Sequence, residues 1–189
     1  MGLFDRLLGG ADAGRRGDRD PEGDTAGVAT DADAGAAGPH GSWRTGDGTP
    51  AEPRGVALFV DGPNVFREEF DVDFADLRAA AGGAGELVTA RLYLDEHATP
   101  GLIQAAEANG FQVITTSGDV DVKLAVDAAT FAAERRAATV AIASRDTDFK
   151  PALEVANEYG LRTLAIAPGS HGRSDALRRS ADEAVTLEE

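Results

Sequence analysis

The sequence predicts an α/β domain with a doubly wound, mostly parallel sheet of Rossmann-like topology over residues 55–189. Three observations predict it. Short apolar runs of strand length alternate with helical patterns of about 10 to 18 residues, as in repeated β-α-β units. The apolar runs show little apolar–polar alternation, as expected of strands covered by helices on both faces. Residues 1–54 differ sharply, with 12 glycines and few β-branched or aromatic residues after Phe4.

Segments such as "GDRDPEGDTAG" carry neither helical nor strand periodicity and offer too little apolar area to offset chain entropy. Residues 1–54 are therefore read as a disordered, acidic, glycine-rich leader, with a short amphipathic helix over Leu3 to Leu8. Trp43 is isolated within it; docking and simple exposure both account for it. The domain opens with the strand "GVALFV" and continues with a helix over "FADLRAA" and a strand over "ELVTARLYL". "PGLIQAAEANG" reads as a helix and "FQVITT" as a short strand. The longest helix is "VDVKLAVDAATFAAERRA", in which Leu124 and Ala128 are four residues apart and share a buried face. "ATVAIAS" is another buried strand. "FKPALEVANEYG" is a helix closed by glycine, and "LRTLAIAP" is a strand. The final "RSDALRRSADEAVTLEE" gives a helix and a short edge strand.

Composition narrows the chemistry. The chain has no cysteine, which excludes a disulfide scaffold, a thiolate zinc site and a cysteine nucleophile. No stretch approaches the roughly 18 apolar residues that span a bilayer. "MGLFDRLLGG" makes a poor signal peptide, so no membrane association and a cytoplasmic location are expected. Acidic residues number 33 against 18 basic ones, for a formal net charge of -15. Such a surface repels itself and nucleic acid in dilute buffer. In molar salt the Debye length falls to about 3 Å and most of that repulsion is screened. The composition therefore points to a salt-accumulating, halophilic cell, and acidity does not exclude a nucleic-acid substrate.

Chemistry in doubly wound sheets gathers outside the carboxyl ends of the strands. The unusual polar residues fall there three times. The first strand ends in "FVDGPN", where Gly62 and Pro63 turn the chain so that Asn64 points back beside Asp61; both residues also suit a helix cap. "SGDVDVKLAVDA" leads into the long helix with Asp119 as its cap, Asp121 in its first turn and Asp127 nearly two turns on. Asp127 reads equally as a more distant site acid and as a partner for Lys123 or an arginine. "SRDTDF" places Asp146 and Asp148 after a buried strand, where a turn and an N-cap compete with a ligand role. Ser144 and Thr147 suit a phosphate or a water as well as a turn. If Asp61, Asp121, Asp146 and Asp148 converge, their charges raise one another's pKa values unless cations neutralise them. Oxygen-only ligands favour Mg²⁺ or Mn²⁺ over zinc. Such ions activate water and stabilise a phosphoryl transition state, which matches phosphodiester hydrolysis.

The blocks "FVDGPN" (59–64), "GDVDVKLAVDA" (118–128) and "ASRDTDF" (143–149) resemble the three signature blocks of NYN domains, PIN-like metal-dependent ribonucleases that include the LabA-like proteins. The resemblance covers about residues 55–189 and includes "SADEAVTLEE", which is similar to the end of archaeal members. It implies a PIN-like parallel sheet of order 3-2-1-4-5 with an acidic pocket at its carboxyl edge. It also implies RNA as substrate and Mg²⁺ or Mn²⁺ as cofactor. Asp61 matches the family's first metal-binding acid and Asn64 the polar position beside it. Asp121 and Asp127 match the acids of the middle block, and Asp146 and Asp148 those of a pattern usually written "SGDSDF". Arg145 stands where that pattern has glycine, and Ser117 where a lysine normally precedes the middle block. Arg145 is open to a bidentate phosphate contact, to pairing with a site acid and to solvent.

Other classes fit less well. An aspartyl-phosphate enzyme would need a second acid two residues after Asp61. A dinucleotide site would need G-x-G-x-x-G after the first strand, and a serine hydrolase a G-x-S-x-G elbow. The rival of another class is a noncatalytic RNA- or nucleotide-binding regulatory protein that keeps the acidic pocket. A nuclease needs basic side chains for backbone contacts. Candidates are Arg91, Lys123, Arg135, Arg136, Lys150, Arg162, Arg173, Arg178 and Arg179, with Arg173 in the cluster "HGRSDALRR" after the fifth strand. A homodimer is compatible with apolar surface outside the core, although no face in the sequence demands one. The leader is open to a role as a tether for a protein partner or to no specific role.

Overall fold

In a computed structural model, residues 52–67, 70–170 and 175–187 are described below. The leader expected over residues 1–54 lies outside them except for residues 52–54, and so does Arg173. The chain runs β1 (Val56–Asp61), α1 (Gly62–Val65), α2 (Phe74–Gly82), β2 (Leu87–Asp95), α3 (Pro100–Ala108), β3 (Gln112–Thr116), α4 (Val120–Ala133), β4 (Thr139–Ala143), α5 (Lys150–Glu158), β5 (Arg162–Ala167), α6 (Asp175–Ser180) and β6 (Glu183–Thr186). A single 3-10 turn, Thr147–Phe149, leads into α5.

The six strands form one sheet of order β3-β2-β1-β4-β5-β6. Every pairing is parallel. The expected order 3-2-1-4-5 is present, and the short edge strand extends it by one. Parallel neighbours need crossovers, and helices supply them on both faces. β1 is central and buried at all six positions. Its side chains divide between two cores by strand alternation. Ala57 and Phe59 pack with Leu124, Ala128 and Phe131 of α4 and with Leu153 of α5. Val56, Leu58 and Val60 pack with Leu77 of α2 and Ala106 of α3. Each fully buried Leu, Val or Phe contributes about 1.5 to 3 kcal/mol, so β1 anchors both layers.

Local chemistry sets the helix ends. Asp73 accepts a hydrogen bond from the Asp76 amide at 2.8 Å at the start of α2. Thr99 caps α3 immediately before Pro100. Asp119 caps α4, as its sequence suggests, through the amides of Asp121 and Val122. Gly110 (φ 78°) and Gly160 (φ 74°) take the left-handed conformation after α3 and α5, which a side chain disfavours. The chain leaves β1 in one direction for β2 and β3, then returns to the other side for β4, β5 and β6. That reversal opens a crevice at the carboxyl ends of β1 and β4.

Gly62 makes the tight exit from β1 possible. A methyl group there would collide with the Leu94 side chain and lie 2.7 Å from the Tyr93 carbonyl oxygen. Leu94 is buried and the carbonyl belongs to β2, so neither gives way readily. Gly62→Ala is expected to cost about 1 to 3 kcal/mol as overpacking. Urea unfolding of the variant against the parent chain measures it, and an unchanged midpoint would contradict the packing described.

Candidate functional site

The crevice begins with Asp61, the last residue of β1, which is fully buried. It accepts hydrogen bonds from Ser144 Oγ at 2.7 Å and Asn64 Nδ2 at 2.7 Å, and a longer one from the Asn64 amide at 3.4 Å. These bonds favour the carboxylate, but burial opposes it more strongly and the nearby Asp146 charge adds to burial. The Asp61 pKa is raised as a result. Asp61 does cap a helix, but α1 is one turn long and Asn64 lies within it, its amide held against the acid.

The segment after β4 forms the facing wall. Ser144 is buried, and its hydroxyl donates to Asp61 while accepting from the Asp146 amide at 3.0 Å. Of the two roles its sequence allows, a turn contact and a phosphate or water contact, these bonds match the first. Asp146 caps the 3-10 turn by accepting from the Asp148 amide at 3.0 Å. Thr147 and Asp148 are exposed on that turn, and Phe149 is buried beneath it. Asp148 is not the cap of α5, whose N-cap is Phe149 with no side-chain hydrogen bond.

Asp121 completes the group from the first turn of α4. Burial pushes its pKa up to about 6, and the charges of Asp61, Asp146, Asp119 and Asp148 add to that shift. Acids from three separate segments therefore act on one another across the crevice. They are not closely packed: among the described residues, no three acids or histidines are grouped so as to hold a metal ion.

The NYN domain family model matches residues 55–188. The chain belongs to the NYN domain family. This is a PIN-like superfamily in which many members are nucleases and often require divalent cations. Over 134 residues the chain is 37% identical to uncharacterized protein MJ0482 of Methanocaldococcus jannaschii, covering 71% of this chain and 55% of that protein. The NYN chain thus spans about half the length of this curated relative. Its fold is similar to the crystal structure of a protein of unknown function, VPA0982, from Vibrio parahaemolyticus, with a TM-score of 0.62 and 22% identity. That likeness covers 75% of this chain and 97% of the other. No helix among the described residues is long and apolar enough to cross a membrane.

In this NYN domain Asp127 lies in a network of hydrogen bonds and ion pairs. Its carboxylate accepts from Tyr93 Oη at 2.9 Å, from Lys123 Nζ at 2.7 Å and from an Arg91 guanidinium nitrogen at 3.3 Å. Of its two sequence readings, ion-pair partner is the one these contacts match, and two opposite charges already compensate it. Lys123 and Arg91, both considered for substrate, are joined to this acid. Arg91 also lies over the Phe131 ring, 4.5 Å from its centroid. Burial raises the Tyr93 pKa, and accepting no charge of its own it serves as the donor here. Arg145 is half-buried, with Nε donating to Asn64 Oδ1 at 3.4 Å and its guanidinium 5.9 Å from the Phe70 ring.

Two residues at the site escaped the sequence reading. Arg67 donates to Asn64 Oδ1 at 3.3 Å and to the Pro63 carbonyl at 3.1 Å. Its spacing from Asn64, three residues along the chain, was the available signal. Tyr93 is the register partner of Asp61 on β2, a relation that exists only once the strands pair.

Ser144→Ala removes one donor from a buried carboxylate and one acceptor from the Asp146 amide. A loss of about 1 to 3 kcal/mol is expected at neutral pH. Denaturant unfolding should show the gap narrowing as pH falls and Asp61 takes up a proton. Asp121→Asn should act in the opposite direction in metal-free buffer. The Asp121 pKa of about 6 lies above the ordinary 3.8, so the folded state binds the extra proton. Its effect is to lower stability as pH rises from about 4 to 6, with no further change above. The variant should melt higher than the parent at pH 7 and lose that advantage at pH 4; equal melting at both would contradict the crowding of charge.

Proposed function

We propose that this NYN domain is a metal-dependent ribonuclease that hydrolyses RNA phosphodiester bonds at the acidic crevice. One observation carries the reading. Asp61, Asp121, Asp146 and Asp148 come from three segments and share one electrostatic neighbourhood at the switch point of the sheet, where their charges oppose one another.

The donor set fits a hard cation. It is made of oxygen alone, without histidine or cysteine, which suits Mg²⁺ or Mn²⁺. Mg²⁺ commonly takes one or two carboxylates and keeps several waters, so three acids need not close on one ion. Asp61, Asp121 and Asp146, with Asp148 beside them, would hold it in part through its bound waters rather than all as direct ligands. When bound, such an ion supplies the Lewis acid that activates water and offsets charge on the phosphate. The protein's own part is orientation. Ser144 and Asn64 fix the Asp61 carboxylate in one rotamer, and the Asp61–Ser144–Asp146 chain of hydrogen bonds ties β1 to the turn after β4. Thr147, exposed beside Asp148, would be open to a strand of RNA at the crevice.

The test incubates structured and single-stranded RNAs in high KCl with Mn²⁺, Mg²⁺ or chelator. High salt is chosen because a net charge of -15 opposes a polyanion. Cleavage should require the metal and fall at least about a hundredfold in Asp146→Asn and Asp121→Asn. Both variants should retain the parent's circular dichroism. Equal cleavage by the variants would place the activity elsewhere, and tight RNA binding without cleavage would replace the ribonuclease by a binding protein.

A further inference from the structure

We propose that β3 is the seam of a two-fold homodimer, in which the strand pairs antiparallel with β3 of a second copy and joins two sheets into one. The inference is independent of the ribonuclease reading and concerns another edge of the molecule.

β3 closes one end of the sheet and pairs with β2 alone. Alternate residues of such a strand direct an N–H and a C=O away from their one neighbour, and among the described residues no strand takes them up. The faces of the sheet do not close over it either. Gln112 and Thr115, three positions apart and so on opposite faces, are both exposed. Val113 and Ile114 are half-buried and pack against different cores. α3 lies beside β3, yet it buries Ala106 and leaves Leu102 and Ile103 half-open.

Charge identifies the occupant. No charged residue lies between Glu107 and Asp119, in a chain that is 27% charged with a net charge of -15. Exposed edges are ordinarily guarded by charge, proline or shortness. β6, at the other end of the sheet, is guarded in this way: it has four residues and opens on Glu183, which pairs with Arg162. A basic partner would be recognised by carboxylates, and β3 has none. A second copy is itself strongly acidic, so the contact it accepts is one where identical residues meet without like charges. Antiparallel pairing centred on Ile114 meets that condition. It sets Ile114 against its copy, Val113 against Thr115 and Gln112 against Thr116, mostly β-branched pairs that suit a sheet. The two-fold axis keeps both copies of α3 on the same face, so Leu102 and Ile103 flank the seam. Strand direction reverses across the axis, and β1 and β4 lie two and three strands from it. Both crevices therefore stay open, at opposite ends of the joined sheet.

The experiment is sedimentation equilibrium of the full chain at micromolar concentration, in low and in molar KCl. The parent should sediment at twice the chain mass, with tighter association in molar KCl, where repulsion between acidic copies is screened. Thr115→Lys should raise the dissociation constant at least about tenfold, since a two-fold interface carries the change twice. Thr115→Val should keep the dimer, which a general loss of fold would not. Because the chain has no cysteine, Ile114→Cys supplies a single thiol. Opposite Cβ atoms on antiparallel strands are about 4.5 to 5.5 Å apart, so a short bismaleimide should link the two copies. Thr115→Cys, at an exposed position, serves where Ile114→Cys fails to fold, and Val185→Cys on β6 should remain unlinked. Melting curves check that each variant is folded. A folded parent that stays monomeric in molar KCl would overturn the proposal. So would a dimer that Thr115→Lys leaves unchanged, or one that links through Val185→Cys instead.

Discussion

The structure depends on how a buried carboxylate is tolerated at the end of its central strand. Taking an ionised acid out of water costs several kcal/mol even after relaxation. Asp61 recovers part of that through two hydrogen bonds of 2.7 Å, from Ser144 and Asn64. Hydrogen bonds to a charged group contribute about 1.5 to 3 kcal/mol each. The raised pKa shows that desolvation remains the larger effect. The surrounding geometry follows from this unequal contest. Gly62 lets the chain turn close against β2, α1 brings Asn64 back, and the loop after β4 delivers a hydroxyl to the remaining carboxylate face. A structural acid would be better served by a full opposite charge, as Asp127 is by Lys123 and Arg91.

The two acids contrast in how their charge is met. Asp127 sits between α4 and β2 with two cations and a phenol around it, so its charge is settled within the fold. It holds the long helix against the sheet and so positions the first turn that bears Asp121. Asp61, Asp121, Asp146 and Asp148 have been left to repel one another. Charge is thus met by cations at Asp127 along α4, while the acids around its first turn raise one another's pKa.

Much of the architecture was legible in the sequence because buried parallel strands leave an unambiguous mark. "GVALFV" and "ATVAIAS" are too short and too uniformly apolar for surface helices, and they correspond to β1 and β4 at the sheet centre. The strand order came through the resemblance of three motif blocks. The one-turn α1 was hidden because four residues carry no periodicity, and the 3-10 turn made Asp146, not Asp148, the capping acid. Asp127 could not be assigned from sequence, since its neighbours Arg91 and Tyr93 lie on β2, 36 and 34 positions away. Ser144 looked like a turn residue for the same reason: its partner is Asp61, 83 positions earlier.

That last separation bears on how the molecule matures. Parallel pairing of β1 with β4 has to close a long stretch of chain, and the entropy of closure is met only when the intervening elements have packed. Asp61 emerges early in synthesis, whereas Ser144 and the turn that carries Asp146 follow more than eighty residues later. Before β4 arrives, β1 lacks a neighbour on one side and its terminal acid lacks a principal donor. The crevice therefore comes into being late, with the docking of β4, and an incomplete nascent chain lacks this juxtaposition of acids.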